Sequence, residues 1–149
     1  MRVLAESSAH TTAPPEAVWA VWADAGLRPR WHPRLEWARL DGPAVPGTAG
    51  RWKADRARRP VDVVVAEAVP GRRLVLDGTH GPKVARGHYV HEVEPAPGGG
   101  SRITHRMALS GALAVPIGLL FGRVLGVSAS PEAVLAVARL AEGAPPAGQ

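Results

Sequence analysis

A chain of 149 residues with 18 Lys and Arg, 13 Asp and Glu and no cysteine has the length of one domain. An apolar fraction of 46% is too high for a disordered chain, and the lack of cysteine excludes a disulfide framework, a thiolate nucleophile and cysteine metal ligation. Lysine occurs only at Lys53 and Lys83, so the net charge of +5 is an arginine surplus, the bias that a GC-rich coding sequence produces without any nucleic-acid function.

Residues 1–13 hold one Arg and no apolar stretch of signal-peptide length, which predicts a cytoplasmic protein. The first strand is expected over 3–12, and Ala13-Pro14-Pro15-Glu16 then opens a helix, with Pro in the first turn and Glu at the positive end of the dipole. Val18, Trp19 and Trp22 recur at helical spacing up to residue 23, and a second short helical piece is predicted over 27–33, ending at Trp31-His32-Pro33. The period then changes. Strands are predicted over 35–40, 50–57, 61–69, 74–79, 84–94 and 102–109, separated by turns at Gly42-Pro43, Pro46-Gly47, Arg58-Arg59-Pro60, Pro70-Gly71, Gly81-Pro82 and Pro95 to Gly100. Helix returns over 116–127 and again over 132–142, the second with Ser130 as N-cap and Pro131 at the first helical position. Residues 1–142 form the one expected domain and 143–149 a disordered tail. The uncharged run between Arg106 and Arg123 contains Pro116 and several Gly and falls short of the roughly 20 apolar residues a spanning helix needs. A many-stranded antiparallel sheet has one face to bury, and the C-terminal helix must cover it, which makes the fold class α+β.

Several segments in this order resemble the START-like, or SRPBCC, superfamily, which includes the polyketide cyclase/dehydrase group and the birch-pollen-allergen-like proteins. They are Ala13-Pro14-Pro15-Glu16-Ala17-Val18-Trp19, the Trp31-x-Pro33 element, Val69-Pro70-Gly71-Arg72-Arg73-Leu74, His91-Glu92-Val93-Glu94-Pro95, and the closing strand from Gly100-Ser101-Arg102-Ile103-Thr104 to Ser110-Gly111. The resemblance implies a helix-grip fold: a seven-stranded antiparallel sheet around a long C-terminal helix, with two short helices and an apolar cavity. It implies a hydrophobic ligand, polyketide-like or lipid-like, with cyclisation, aromatisation or dehydration as one outcome and a non-catalytic carrier or sensor as the other. No cofactor is expected, since the Gly47-Thr48-Ala49-Gly50 turn lacks the context of a phosphate loop. Trp19 and Trp31 match positions where the family carries packing aromatics.

The last hairpin can be registered from its residues. If Glu94 faces Arg102, then Val93 faces Ile103, Glu92 faces Thr104, His91 faces His105 and Tyr89 faces Met107. The apolar face is the inner one, so Tyr89, His91 and His105 are expected inside, and two opposed imidazoles about 5 Å apart disfavour charging one another. They form either an acid/base pair, with Tyr89 donating to a substrate carbonyl, or a polar patch that only hydrogen-bonds water or ligand. Trp22, Trp52, Leu76, Met107 and Phe121 are expected to line the ligand site. Arg56, if inward with Trp52, holds a carboxylate or enolate; otherwise it belongs to the basic surface run 51–59. His88 and His91, three apart on a strand, fall on opposite faces, and no carboxylate stands in obvious reach as a third ligand beside His80, so no metal site is expected.

The segment 112–121 is apolar nearly all round. Either it is a lid that also touches a membrane or partner, or it is buried between sheet and lid or in a dimer contact. Partners are therefore a hydrophobic small molecule and at most a second copy in a homodimer. Membrane contact is disfavoured. Nucleic-acid binding through the arginines at 28–34 and 51–59 is the third class, and the expectation is against it.

Overall fold

The structure, a computed structural model, describes residues 1–80, without the side chain of His80, and residues 85–143. The predicted turn at Gly81-Pro82, the start of the following strand at Val84, the reach of the His80 ring and the tail from 144 onward lie outside the described residues.

Seven strands form one antiparallel sheet: β1 (Arg2–Thr11), β2 (Leu35–Leu40), β3 (Ala49–Ala54), β4 (Val61–Val69), β5 (Arg73–His80), β6 (Ala85–Pro95) and β7 (Ser101–Ser110). Their spatial order is β1-β7-β6-β5-β4-β3-β2, so each strand lies beside its sequence neighbour except that the first pairs with the last. Register shifts at Val3/Ala5, Leu35/Trp37 and Val65/Glu67 place an extra residue in one strand of a pair, which bends the sheet and strengthens its twist. Helix α1 (Pro15–Ala23), a 3-10 turn at Ala25–Leu27 and the single-turn α2 (Arg28–Trp31) bridge β1 to β2. Pro14 and Pro15 start α1 because the missing N–H groups would have no intrahelical partner there.

The concave face closes on the C-terminal segment, which is broken into α3 (Ala114–Leu125), a 3-10 turn at Gly126–Ala129 and α4 (Pro131–Ala141). Ala133, Val134, Val137 and Ala138 bury α4 in the core with α1, α2 and the inner sheet residues. The Ser130 side chain accepts from the N–H of Ala133, satisfying one donor that the first turn leaves unpaired. Ser130→Ala is expected to destabilise the protein by about 1 kcal/mol, measured as a lower urea midpoint with unchanged slope.

At two positions the structure corrects the sequence expectations. The strand around Trp52 ends at Ala54, and Arg56 sits in the following turn with φ 64°, its side chain exposed. The alternation that would have carried Arg56 inward stops two residues earlier, so Arg56 is a surface arginine. Phe121 is also outside: α3 packs Ala114 and Gly118 inward, with Leu4 and Arg2 close against Gly118, and leaves Phe121 54% and Leu120 77% exposed. Val115, Leu119 and Val124 are exposed with them. Ala114–Ala141 is long and apolar enough to cross a membrane by length and composition alone, yet its second half is the core helix of the grip.

Candidate functional site

The register of β6 and β7 brings His91 opposite His105, Tyr89 opposite Met107, Val93 opposite Ile103 and Glu94 opposite Arg102. Both histidines are 1% exposed and their rings are 4.9 Å apart, edge to face. Trp22 from α1 and Trp31 from α2 cover them: Trp22 lies 5.5 Å from His91 and 5.7 Å from His105, and Trp31 lies 5.8 and 5.2 Å from the same rings. Further along the sheet Trp52 meets Tyr89 edge-on at 4.8 Å. Leu76 and Met107 are buried in the same layer, whereas Trp19 is half-buried at the edge of the core.

Hydrogen bonds define the proton positions. His105 Nε2 accepts from Trp22 Nε1–H at 3.0 Å, so its proton is on Nδ1, which donates to the carbonyl of Ser128 at 2.9 Å. His91 donates from Nδ1 to the carbonyl of Leu74 at 3.0 Å, leaving its Nε2 lone pair without a partner among the described residues. His105 is therefore saturated and His91 is not. Burial holds His105 at about 3 against the Ser128 carbonyl, which favours the charged form. Burial also pushes His91 well below its usual range, followed by the charges of Arg28 and His105. His32, at the mouth of the same layer, is held at about 3 by burial and then by Arg28. The Tyr89 phenol is raised by burial, so it remains a neutral hydroxyl.

The sequence places Arg28 in a basic surface cluster with Arg30 and Arg34. Instead it points inward and is 3% exposed. Its guanidinium lies 4.6 Å from the Trp31 ring, 4.4 Å from Trp52 and 6.0 Å from Tyr89. Burial lowers its pKa to about 9. The one signal in the sequence is its place a single helical turn before Trp31, which buries both on the side of α2 that meets the sheet.

Two surface clefts border the fold, and one of them touches this layer at its edge. One of about 1020 Å³ lies on the outer sheet face among Glu6, Arg73, Glu92, Glu94, Arg102 and Arg106. Another, of about 430 Å³, lies between α2 and α4 and ends on Trp31 and His32. No group of three potential metal ligands is assembled among the described residues.

A seven-stranded sheet wrapped on a C-terminal helix, with aromatic and imidazole side chains at its centre, defines the helix-grip class of proteins. The chain belongs to the family described as polyketide cyclase / dehydrase and lipid transport, whose model matches residues 2–144. No curated protein sequence matches it. Among solved structures it is similar to a protein from Thermobifida fusca, at 19% identity over 93% of each chain with a TM-score of 0.66. It is similar also to one from Thermus thermophilus, at 18% identity over 93% of this chain and 97% of that one, with a TM-score of 0.67. The di-domain ARO/CYC StfQ of the steffimycin biosynthetic pathway matches 95% of this chain with 51% of its own length, at 12% identity and a TM-score of 0.71. At these identities the likeness is one of fold.

Proposed function

We propose that this protein binds a planar, hydrophobic small molecule, polyketide-like or lipid-like, inside the grip against Trp22, Trp31 and Trp52. The observation that carries the reading is the unused hydrogen-bonding capacity of the interior. The Trp31 Nε1–H and two nitrogens of Arg28 are buried without partners, and the His91 Nε2 lone pair is open. A self-sufficient core seldom leaves such groups unpaired, because each costs free energy that a ligand can restore. The cleft between α2 and α4 ends on Trp31, so displacement of that ring is the route of entry. A cytoplasmic location fits a chain without cysteine.

A catalytic reading has its own support in His91 Nε2. This nitrogen would take a proton from a carbon beside a ligand carbonyl. The resulting enolate would attack a second carbonyl of the same molecule, and the proton would return to the new alkoxide; loss of that hydroxyl with a neighbouring hydrogen as water would complete a dehydration. His105, with both nitrogens engaged, positions Trp22 and its neighbour ring. A base held so far below neutrality is poorly matched to carbon acids until a ligand changes its surroundings, which ranks binding ahead of catalysis.

Native mass spectrometry of protein purified without denaturation is expected to show a retained small molecule. Incubated with the protein, that molecule returns unchanged if the protein is a carrier and cyclised or dehydrated if it is an enzyme. In the second case His91→Gln lowers conversion by about 100-fold while binding persists. Undiminished conversion in that variant rejects His91 as the base, and a protein that carries nothing and takes up no planar apolar probe rejects the binding reading.

A further inference from the structure

Arg28 is the charged side chain among the buried residues, where no Asp or Glu is found among those described. Its Nε and Nη2 are buried and make no hydrogen bond. These two nitrogens form one edge of the guanidinium, and their N–H bonds run parallel in the spacing that the two oxygens of a carboxylate match. Trp31 and Trp52 pack against the group, with Cζ 4.6 and 4.4 Å from their ring centroids, and the Nε and Nη2 edge is left without an acceptor. Trp31 touches both Arg28 and His91, so the cation shares one interior with the open His91 nitrogen, and its charge weighs on His32, His91 and His105.

We propose that Arg28 is an anion anchor and that the ligand of the grip is a planar apolar molecule ending in a carboxylate. The carboxylate forks onto Nε and Nη2 of Arg28, and the apolar body lies along the tryptophan wall. The inference rests on the interior-ligand reading and narrows it to one substrate class. Arg28 sits on α2, the element that borders the cleft, so the carboxylate would be engaged near the mouth and the body would extend toward His91.

The test uses two probes, 2-naphthoate and its methyl ester, titrated into the intact protein and followed by the indole N–H resonances of its tryptophans. The unmodified protein is expected to bind naphthoate at least about tenfold more tightly than the ester, with the Trp31 and Trp52 signals shifting. Arg28→Met is expected to bring that ratio to about one by weakening naphthoate alone. Arg28→Lys is expected to fall between, since an ammonium cannot fork onto both oxygens. Equal affinity for the two probes in the unmodified protein, or a preference that survives Arg28→Met, overturns the anion anchor and leaves the apolar site standing. Failure of both probes to bind overturns the anchor and the interior-ligand reading together. The comparison of probes on the unmodified chain stands whatever the variants do.

Discussion

Arg28→Met is expected to make the ligand-free protein more stable, by about 1–4 kcal/mol at neutral pH, the range seen when buried ionic groups give way to apolar ones of similar size. The unmodified core holds a cation with two unsatisfied nitrogens and no buried carboxylate among the described residues. Stacking on Trp31 and Trp52 returns about 0.5–2 kcal/mol per ring, less than the desolvation of a full charge. Methionine keeps most of the apolar stem and fills the space between the rings without a charge. The pH dependence follows from the lowered pKa of about 9. Below 9 the group is charged in both folded and unfolded chains, and the full difference between variant and unmodified protein is present. As pH rises beyond 9 toward the ordinary range of arginine, the folded protein sheds the proton first and the difference shrinks. Urea denaturation of both proteins at pH 7 and 10 measures this. A variant less stable than the unmodified chain at pH 7 would show that the guanidinium is already satisfied within the fold. Stability gained on losing a polar group is the usual mark of a binding site maintained at the expense of the fold.

Acid is expected to unfold the protein between about pH 5 and 3, with stability already falling from about pH 6.5, where most carboxylates are still ionised. His32 and His105 are held at about 3 and His91 well below its usual value, all chiefly by burial. In the unfolded chain each titrates near 6.5. Above 6.5 all three are neutral in both states and their contribution is fully present. As pH falls from 6.5 toward 3 the unfolded chain binds protons at His32 and His105 that the folded protein refuses, and His91, lowered by the same burial, adds to the effect. Stability then drops by roughly 1 kcal/mol per pH unit for each histidine that is charged in the unfolded chain and still neutral in the fold. Against a typical total of about 5–15 kcal/mol, that slope exhausts the fold within a few units. Circular dichroism at stepped pH measures the transition, and His91→Gln should make the slope shallower. A stability that stays flat from about pH 6.5 to 4 would mean that these rings are hydrated and open to protons. The same opening would be expected when a ligand displaces Trp31, so ligand and acid probe one motion.

What is legible in the chain divides by the range of the signal. Strands β2 and β4 begin and end where turn residues and alternation place them, because Gly, Pro and a period of two act over a handful of residues. The β6–β7 register follows from the Glu94–Arg102 and Val93–Ile103 pairs, since a one-residue slip would turn one of the two histidines outward and part the pair. Ser130 as a cap is legible for the same local reason. Arg56 escapes this reading because alternation says nothing about where a strand stops, and β3 stops at Ala54. Phe121 escapes it because α3 has two small-residue positions, Ala114 and Gly118, that let it sit on β1 while Leu119, Leu120, Phe121 and Val124 face away.

By itself, then, the turn punctuation and the change of period determined an α+β sheet covered by a C-terminal helix, the family resemblance implied the helix grip, and the alternation of the last hairpin set two imidazoles facing each other on the inner face. Composition also showed an arginine surplus, but it treats every arginine as equal. Only the tertiary structure separated Arg28 from the rest, by closing Trp31, Trp52 and Tyr89 around it, and only there do Trp22 and Ser128 saturate one histidine while the other keeps an open nitrogen. The physical reason is that burial and hydrogen-bond satisfaction are sums over side chains brought from several separate elements, and no local pattern in the chain carries that sum.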